Sequence, residues 1–248
     1  MGGFSLFAQP LAQDGELWLN EADFSDNSIE LKGEWAFTWH KFIDPKQPIS
    51  TLNKTVPFTQ SWNDISGLRF NGAAQGFASY KLILHSEKAL EDMAFYVPEV
   101  YTTYQLYMNG ERVASNGKPG SSLNHSNPYW LPQLARVDLQ KGANTLVLHV
   151  SNYHFKGVPM HPFQLGTYEH LSFLFNFSKS NSLFVAGALL IAGLFALTVF
   201  YFQRNDLPFL FFALFAFFYT YRIICRCGLP KTLHKCWYER FYCLTVQG

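Results

Sequence analysis

The sequence predicts an all-β sandwich of the jelly-roll type followed by transmembrane α-helices, and three observations carry that prediction. Apolar and polar side chains alternate with a period of two from Glu16 to about Tyr168. Turn signals separate the alternating runs, and no helical stretch interrupts them. Then Leu183 to Phe202 runs for twenty residues without a charge. At about 1.5 Å per residue such a helix is roughly 30 Å long, the thickness of a bilayer's hydrocarbon core.

At the amino end, residues 1–15 contain a short apolar stretch closing near Ala8, but no positive n-region and no full h-region of about 7–15 residues. Two readings stay open there: the remnant of a signal peptide that starts upstream, or a disordered terminus. Residues 16–170 form the β domain. In Leu31-Lys-Gly-Glu-Trp-Ala-Phe-Thr-Trp39 the apolar residues Leu31, Trp35, Phe37 and Trp39 fall at odd positions, on one face of a strand, which assigns Trp35 and Trp39 to the core. The alternation recurs at Tyr80, Leu82 and Leu84, at Tyr104, Leu106 and Met108, and at Leu146, Leu148 and Val150. Asn109-Gly110 tolerates two successive positive φ values, so the flanking runs form a two-residue hairpin. Residues 171–182 read as a linker, 183–202 as a first membrane span and 207–225 as a second. The remaining residues, 226–248, show no periodicity.

Charge divides in the same place. Residues 1–180 carry 13 Lys and Arg against 16 Asp and Glu, a net of −3, while residues 181–248 carry 6 against 2, a net of +4. Neither part is basic enough for nucleic-acid binding. All four cysteines, Cys225, Cys227, Cys236 and Cys243, fall at the carboxyl end. A β domain of this length buries a core without disulfides, so their absence upstream does not identify its compartment.

Four segments, Leu31-Lys-Gly-Glu-Trp-x-Phe37, Gln75 to Leu82, Leu106 to Val113 and Gly142 to Asn152, resemble the galactose-binding-type jelly roll. That fold also forms the amino-terminal sugar-binding domain of β-galactosidase-like glycoside hydrolases. With Phe163-Gln-Leu-Gly166 closing the domain and Arg204 to Leu210 between two apolar runs, the order is similar to bacterial seven-transmembrane receptors with diverse intracellular signalling modules. The resemblance covers roughly Leu17 to Arg222. It implies a galactose-binding-like sensor in residues 16–170, with residues 16–180 placed in the periplasm outside a bacterial inner membrane. It also implies seven membrane helices and a cytoplasmic output such as a histidine kinase or a cyclic-dinucleotide enzyme. The chain departs from this pattern after its second apolar run, where no further hydrophobic run and no output motif follow. Two spans would also return the basic tail (Arg226, Lys231, Lys235, Arg240) to the outer side, against the positive-inside tendency. Either the jelly roll is cytoplasmic or the tail did not evolve in that place; the second is favoured, because a frameshift near Cys225 accounts for the change of composition, and the sequence then reads as a truncated receptor. The alternatives are a membrane-anchored carbohydrate-binding module without signalling, and an inactive remnant.

The chemistry-bearing residues narrow the function further. Glu87, Glu91, Asp92 and Glu99 are scattered over strand edges and a turn, whereas glycoside hydrolysis needs two acids facing one bond about 5–10 Å apart. No nucleophile elbow, phosphate-cradling loop or dinucleotide fingerprint occurs, so the expectation is no enzyme and no cofactor. Cys225-x-Cys227 is spaced too tightly for a structural zinc pair, and His149, His154 and His161 read as ordinary surface or hydrogen-bonded histidines. Binding by aromatic loops remains, since ring faces stack on sugars while amides and charges reach hydroxyls. Three loops qualify: Ser61 to Phe70, Asn116 to Pro132 and Asn152 to Pro162. The candidate ligand contacts are Trp62, Arg69, Tyr129, Trp130 and His154. The partners expected are a carbohydrate or related small molecule and the lipid bilayer; a homodimer is compatible with this reading.

Overall fold

The computed structural model describes residues 9–20, 24, 28–46, 54–65, 75–129, 131–153, 161–203 and 206–226. The chain divides into two units, residues 1–172 and 173–248. In the first unit the described strands are β1 (Leu11–Ala12), β2 (Glu16–Leu19), β3 (Ser28–Trp39), β4 (Thr55–Pro57), β5 (Gly76–Ser86), β6 (Leu90–Val97), β7 (Thr103–Met108), β8 (Glu111–Asn116), β9 (Gln133–Leu139), β10 (Gly142–Asn152) and β11 (Phe163–Thr167). They pair in the order β8-β7-β10-β5-β3-β11-β6-β9, with β1 and β4 on β3 and β2 on β5. All these pairings are antiparallel except β1 with β3 and β2 with β5.

The fold turns on β3, which belongs to two sheets. Its first residues pair with β11 (Leu31 opposite Phe163), and its last pair with β5 (Phe37 opposite Tyr80). Between them Gly33 has φ +103°, and a Cβ there would lie 2.2 Å from the Ala12 carbonyl oxygen. Only glycine meets both demands, because the left-handed region penalises a side chain and the backbone of β1 leaves no space for one. At the far ends of the order the sandwich nearly closes. The Gln133 side-chain amide donates to the Ser115 carbonyl at 2.7 Å and accepts from the Ser115 N–H at 3.3 Å, which ties β9 to β8.

The alternation seen in the sequence fills the interior. Leu31, Trp35, Tyr80, Leu82, Leu84, Tyr104, Leu106, Leu146, Leu148 and Val150 are all fully buried. Trp35 stacks on Phe58 at 3.9 Å and meets Phe163 edge-on at 6.1 Å; Trp39 is half-buried and packs against the same cluster. The hairpin at Asn109-Gly110 forms as expected, with φ of 50° and 84° and Met108 opposite Glu111.

Part of the outer face of the β5/β10 sheet is covered by the segment 41–46. There the Ser79 hydroxyl donates to the Lys41 carbonyl (2.8 Å) and accepts from the Ile43 N–H (3.1 Å). His149 is buried and its Nε2 lies 2.8 Å from the Ile43 carbonyl oxygen, so the ring must donate from that nitrogen. Its neighbours Phe42 and Tyr107 place their rings 5.0 Å away. Lys81 lies on the same face and is also buried, and its ammonium is held below the usual lysine range by that burial.

Two boundaries differ from expectation. Residues 11–15 are ordered: β1 is followed by a tight turn in which Asp14 (φ 50°) and Gly15 (φ 80°) close the Gln13–Glu16 bridge. Asp-Gly is a strong hairpin signal, and it places the domain's start before residue 16; residues 1–8 lie outside those described. Residues 171–182, expected as a linker, belong to α1 (Tyr168–Phe202). No proline or glycine separates Tyr168 from Ala186, so nothing stops a helix there.

The second unit is described by itself. It holds most of α1 and α2 (Leu207–Arg226), and both helices are long and apolar enough to cross a membrane. They meet through small side chains: Ala186, Ala196, Ala213 and Ala216 are buried, the Thr220 hydroxyl donates to the Ala186 carbonyl at 3.3 Å, and Gly193 faces Ala216. Phe184, Ile191, Phe195, Phe211, Phe215 and Phe218 point outward and are 63–76% exposed.

Two tests follow from this architecture. Gly33→Ala should destabilise the sandwich by roughly 1–3 kcal/mol, read as a lowered unfolding midpoint; an unchanged midpoint would mean that β3 can bend elsewhere. Burial lowers the His149 pKa below its ordinary value, and the bond to the Ile43 carbonyl only partly opposes this. The unfolded chain therefore binds more protons below about pH 6.5, and stability falls as pH drops through that window. Thermal melts at pH 7.5 and 5.5 should show the fall, and His149→Gln should flatten it.

Candidate functional site

At one end of the sheet, β3 finishes, β5 and β7 begin and β10 finishes, because Ser151 on β10 lies opposite both Phe77 and Thr103. The loop between β8 and β9 folds over this end. Ser151 is fully buried, and its hydroxyl lies 2.8 Å from the Thr103 hydroxyl, 3.0 Å from the Ser126 hydroxyl and 3.2 Å from the Gly120 N–H. Tyr153 donates its hydroxyl to the Gly120 carbonyl at 3.0 Å, and the Tyr129 N–H donates to the Thr102 carbonyl at 3.1 Å. Asn116 holds the other side of the loop by donating to the Leu131 carbonyl at 2.6 Å.

The result is a polar seam that joins two of the three loops singled out from the sequence, 116–132 and the start of 152–162. It leaves Tyr129 and Tyr153 half-buried, and burial raises both phenol pKa values. Both phenols therefore stay neutral at physiological pH, and their half-buried rings each offer a face. Behind them, the inward-facing cross-strand pair Tyr104 and Asn116 is buried. Its Tyr104 hydroxyl and Asn116 Oδ1 have no hydrogen-bond partner among the described residues.

The individual candidates fare differently. Tyr129 lies in the seam. Trp62 does not belong to a binding loop: it is fully buried in a short 3-10 turn (Trp62–Asp64), lies edge-on to Trp39 at 4.7 Å and donates its indole N–H to the Tyr80 hydroxyl at 2.6 Å. A ring with no exposed face cannot stack on an external ligand, so that expectation is corrected: Trp62 is core. Its neighbours Phe58 and Ile65, both apolar and both buried, were the signal in the sequence. Arg69, Trp130 and His154 lie outside the described residues, as do Cys227, Cys236 and Cys243. The sequence reading missed Ser151 and Thr103, whose hydroxyls sit on the outward positions of strands and look solvated until the loop covers them.

Among the described residues, no group of three or more His, Cys, Asp or Glu could hold a metal ion. Ser122 places its hydroxyl 2.8 Å from His125 Nδ1 in an exposed turn, and His125 has no carboxylate partner among the described residues. Away from this end of the sheet, carboxylates pair with cations or histidine: Asp92 with Arg136, Glu30 with Lys32 and Glu16 with His85.

No protein-family model matches this chain, and no curated protein does. Solved structures do. A GH2 β-galacturonidase from Eisenbergiella tayi bound to glycerol matches at 17% identity and a TM-score of 0.39, over 56% of this chain and 24% of that one. A β-glucuronidase from Faecalibacterium prausnitzii matches at 15% identity and a TM-score of 0.41, over 56% and 31%. A glycosyl hydrolase family 2 member from Bacteroides cellulosilyticus matches at 12% identity and a TM-score of 0.43, over 56% and 20%. The chain thus spans a third or less of the length of these proteins, and a likeness of this degree carries no argument about its activity. One expectation is nevertheless corrected. The carboxylates led us to exclude an enzyme, and the structures matched are those of glycoside hydrolases, though each match is partial and of low identity, so the exclusion is withdrawn.

Ser151→Ala removes a hydroxyl that Thr103, Ser126 and Gly120 share. It should destabilise the domain by about 1–3 kcal/mol, and the Tyr153 fluorescence environment and proteolysis at 117–129 should change with it. Wild-type behaviour in both measurements would mean that the loop is held by other contacts.

Proposed function

We propose that this chain is a membrane-anchored binding module, the ligand-sensing part of a bacterial transmembrane receptor, with its galactose-binding-like jelly roll in the periplasm. The ligand is a carbohydrate or a related small molecule. The single observation that carries the membrane reading is the helical pair, with small residues facing inward and large apolar ones facing outward. In water that arrangement is inverted, whereas lipid tails solvate the exposed phenylalanines and small residues let two helices approach. Binding is supported by the seam at the end of the sandwich, where the half-buried rings of Tyr129 and Tyr153 offer faces beside a cluster of hydroxyls. Sensing is supported by the order of segments that resembles the receptor family, in which the sandwich precedes the membrane helices.

The test uses the full chain expressed in a bacterium. It should remain with membranes through alkaline carbonate extraction. Reconstituted into nanodiscs, it should retain oligosaccharides on a glycan array, with Tyr129→Ala weakening retention about tenfold, or roughly 1.4 kcal/mol. Release by carbonate would overturn the membrane reading, and failure to retain any glycan would overturn the ligand class.

A further inference from the structure

The segment 41–46 covers only part of the outer face of the β5/β10 sheet. On the covered part Ser79, Lys81, Val147 and His149 are buried. Further along the same strands no segment covers the face among the described residues. There the register places Trp18 beside His85 and Glu16 beside Ile83 across β2 and β5, and Ala143 and Thr145 continue the two rows on β10. Trp18 is 66% exposed, although it stands in a strand whose other apolar residues, Leu17 and Leu19, are buried.

One face of the Trp18 indole is already taken. The His85 ring lies parallel to it, with 4.0 Å between centroids and 12° between planes. His85 is in turn fixed by Glu16, whose Oε2 is 3.1 Å from His85 Nε2. The indole is thereby held flat by a partner that is itself tethered, and its second face remains for another ring. Only one oxygen of the Glu16 carboxylate is used by His85, leaving the other as an acceptor beside the aromatic surface.

From this geometry we infer a binding platform for a neutral oligosaccharide, built from Trp18, His85 and Glu16 with Ile83 and Thr145 as its floor. A pyranose ring presents an apolar C–H face, which suits an indole, and a rim of hydroxyls, which suits a carboxylate acceptor. The dimensions agree: rows two residues apart along a strand are about 7 Å from each other, and three strands span about 10 Å, enough for one or two sugar rings. Charge selects among sugars. The unshared oxygen of Glu16 repels uronates and phosphorylated sugars, and Lys81, on the covered part of this face, is buried. The platform is separate from the seam at Ser151, which lies at the end of the sheet rather than on its face.

This assignment rests on the reading that the module binds carbohydrate, and the experiment separates the two. The full chain in nanodiscs is titrated by calorimetry with cellotetraose, mannotetraose and tetragalacturonate. The wild type should bind at least one neutral tetrasaccharide and should discriminate tenfold or more against the anionic one. Trp18→Ala should weaken neutral binding at least tenfold and Trp18→Phe by less, while Glu16→Gln should lower it a few-fold and relax the discrimination against tetragalacturonate. Unchanged melting temperatures would place these effects in binding, as expected for exposed side chains. If a neutral sugar binds and Trp18→Ala leaves it unaffected, the platform is wrong while carbohydrate binding stands. If none of the three sugars binds, the platform as assigned is wrong too, and retention on the glycan array then decides the broader reading by itself.

Discussion

Every layer of the β domain depends on one strand serving two sheets. β3 pairs with β11 through its first half and with β5 through its second, and the change of partner occurs around Gly33. A strand that stayed in one sheet would leave Trp35 and Phe58 without the Phe163 edge that completes their cluster. Because β3 crosses over, rings from both sheets converge: Phe58 lies edge-on to Phe163 at 5.0 Å and to Tyr80 at 5.6 Å. Large aromatic areas of this kind dominate core energetics, and their edge-to-face contacts add to the area they bury. The constraint is a local backbone one with a global consequence.

The same crossing fixes what the outside of the sheet can do. β2 and β3 both lie along β5, one after the other, so the outer face has a part flanked by β3 and a part flanked by β2. The chain leaving β3 passes at once over the first part, where Ser79 and His149 capture its backbone. The second part has no such cover among the described residues and presents an exposed tryptophan stacked on a histidine. The end of the sheet is a third environment, where hydroxyls from two strands are sealed by the β8–β9 loop. Three regions of one sheet thus have three chemistries, and each follows from which segment of chain passes over it.

Much of this was legible in the sequence, for a physical reason. A period of two marks which side chains face inward regardless of which strands pair, so the buried sets on β5, β7 and β10 could be named directly. Asn109-Gly110 needed no tertiary information either, since two positive φ values suit few other residue pairs. Asp14-Gly15 is the same signal, masked in the sequence by the apolar residues before it, which resemble the end of a signal peptide. Trp62 misled in the opposite sense: in a loop between strands an aromatic looks available for a ligand, and only the packing of Trp39 and the hydroxyl of Tyr80 place it inside. Trp18 could have been found from Glu16-Leu-Trp-Leu19, where alternation sends the tryptophan outward while its neighbours go in.

What the sequence determined by itself is therefore the class of each segment: strands by alternation, turns by residues that accept positive φ, and two helices by runs of apolar residues long enough to cross a bilayer. Those properties depend on neighbours within a few positions, where backbone sterics and side-chain period act. Tertiary structure alone decided that β3 divides between sheets, that Ser151 becomes a buried hub and that His85 lies under Trp18. Each of those brings together residues far apart in the chain, His85 and Glu16 by 69 positions. No local pattern encodes such a meeting, because it is set by the register in which distant strands pair.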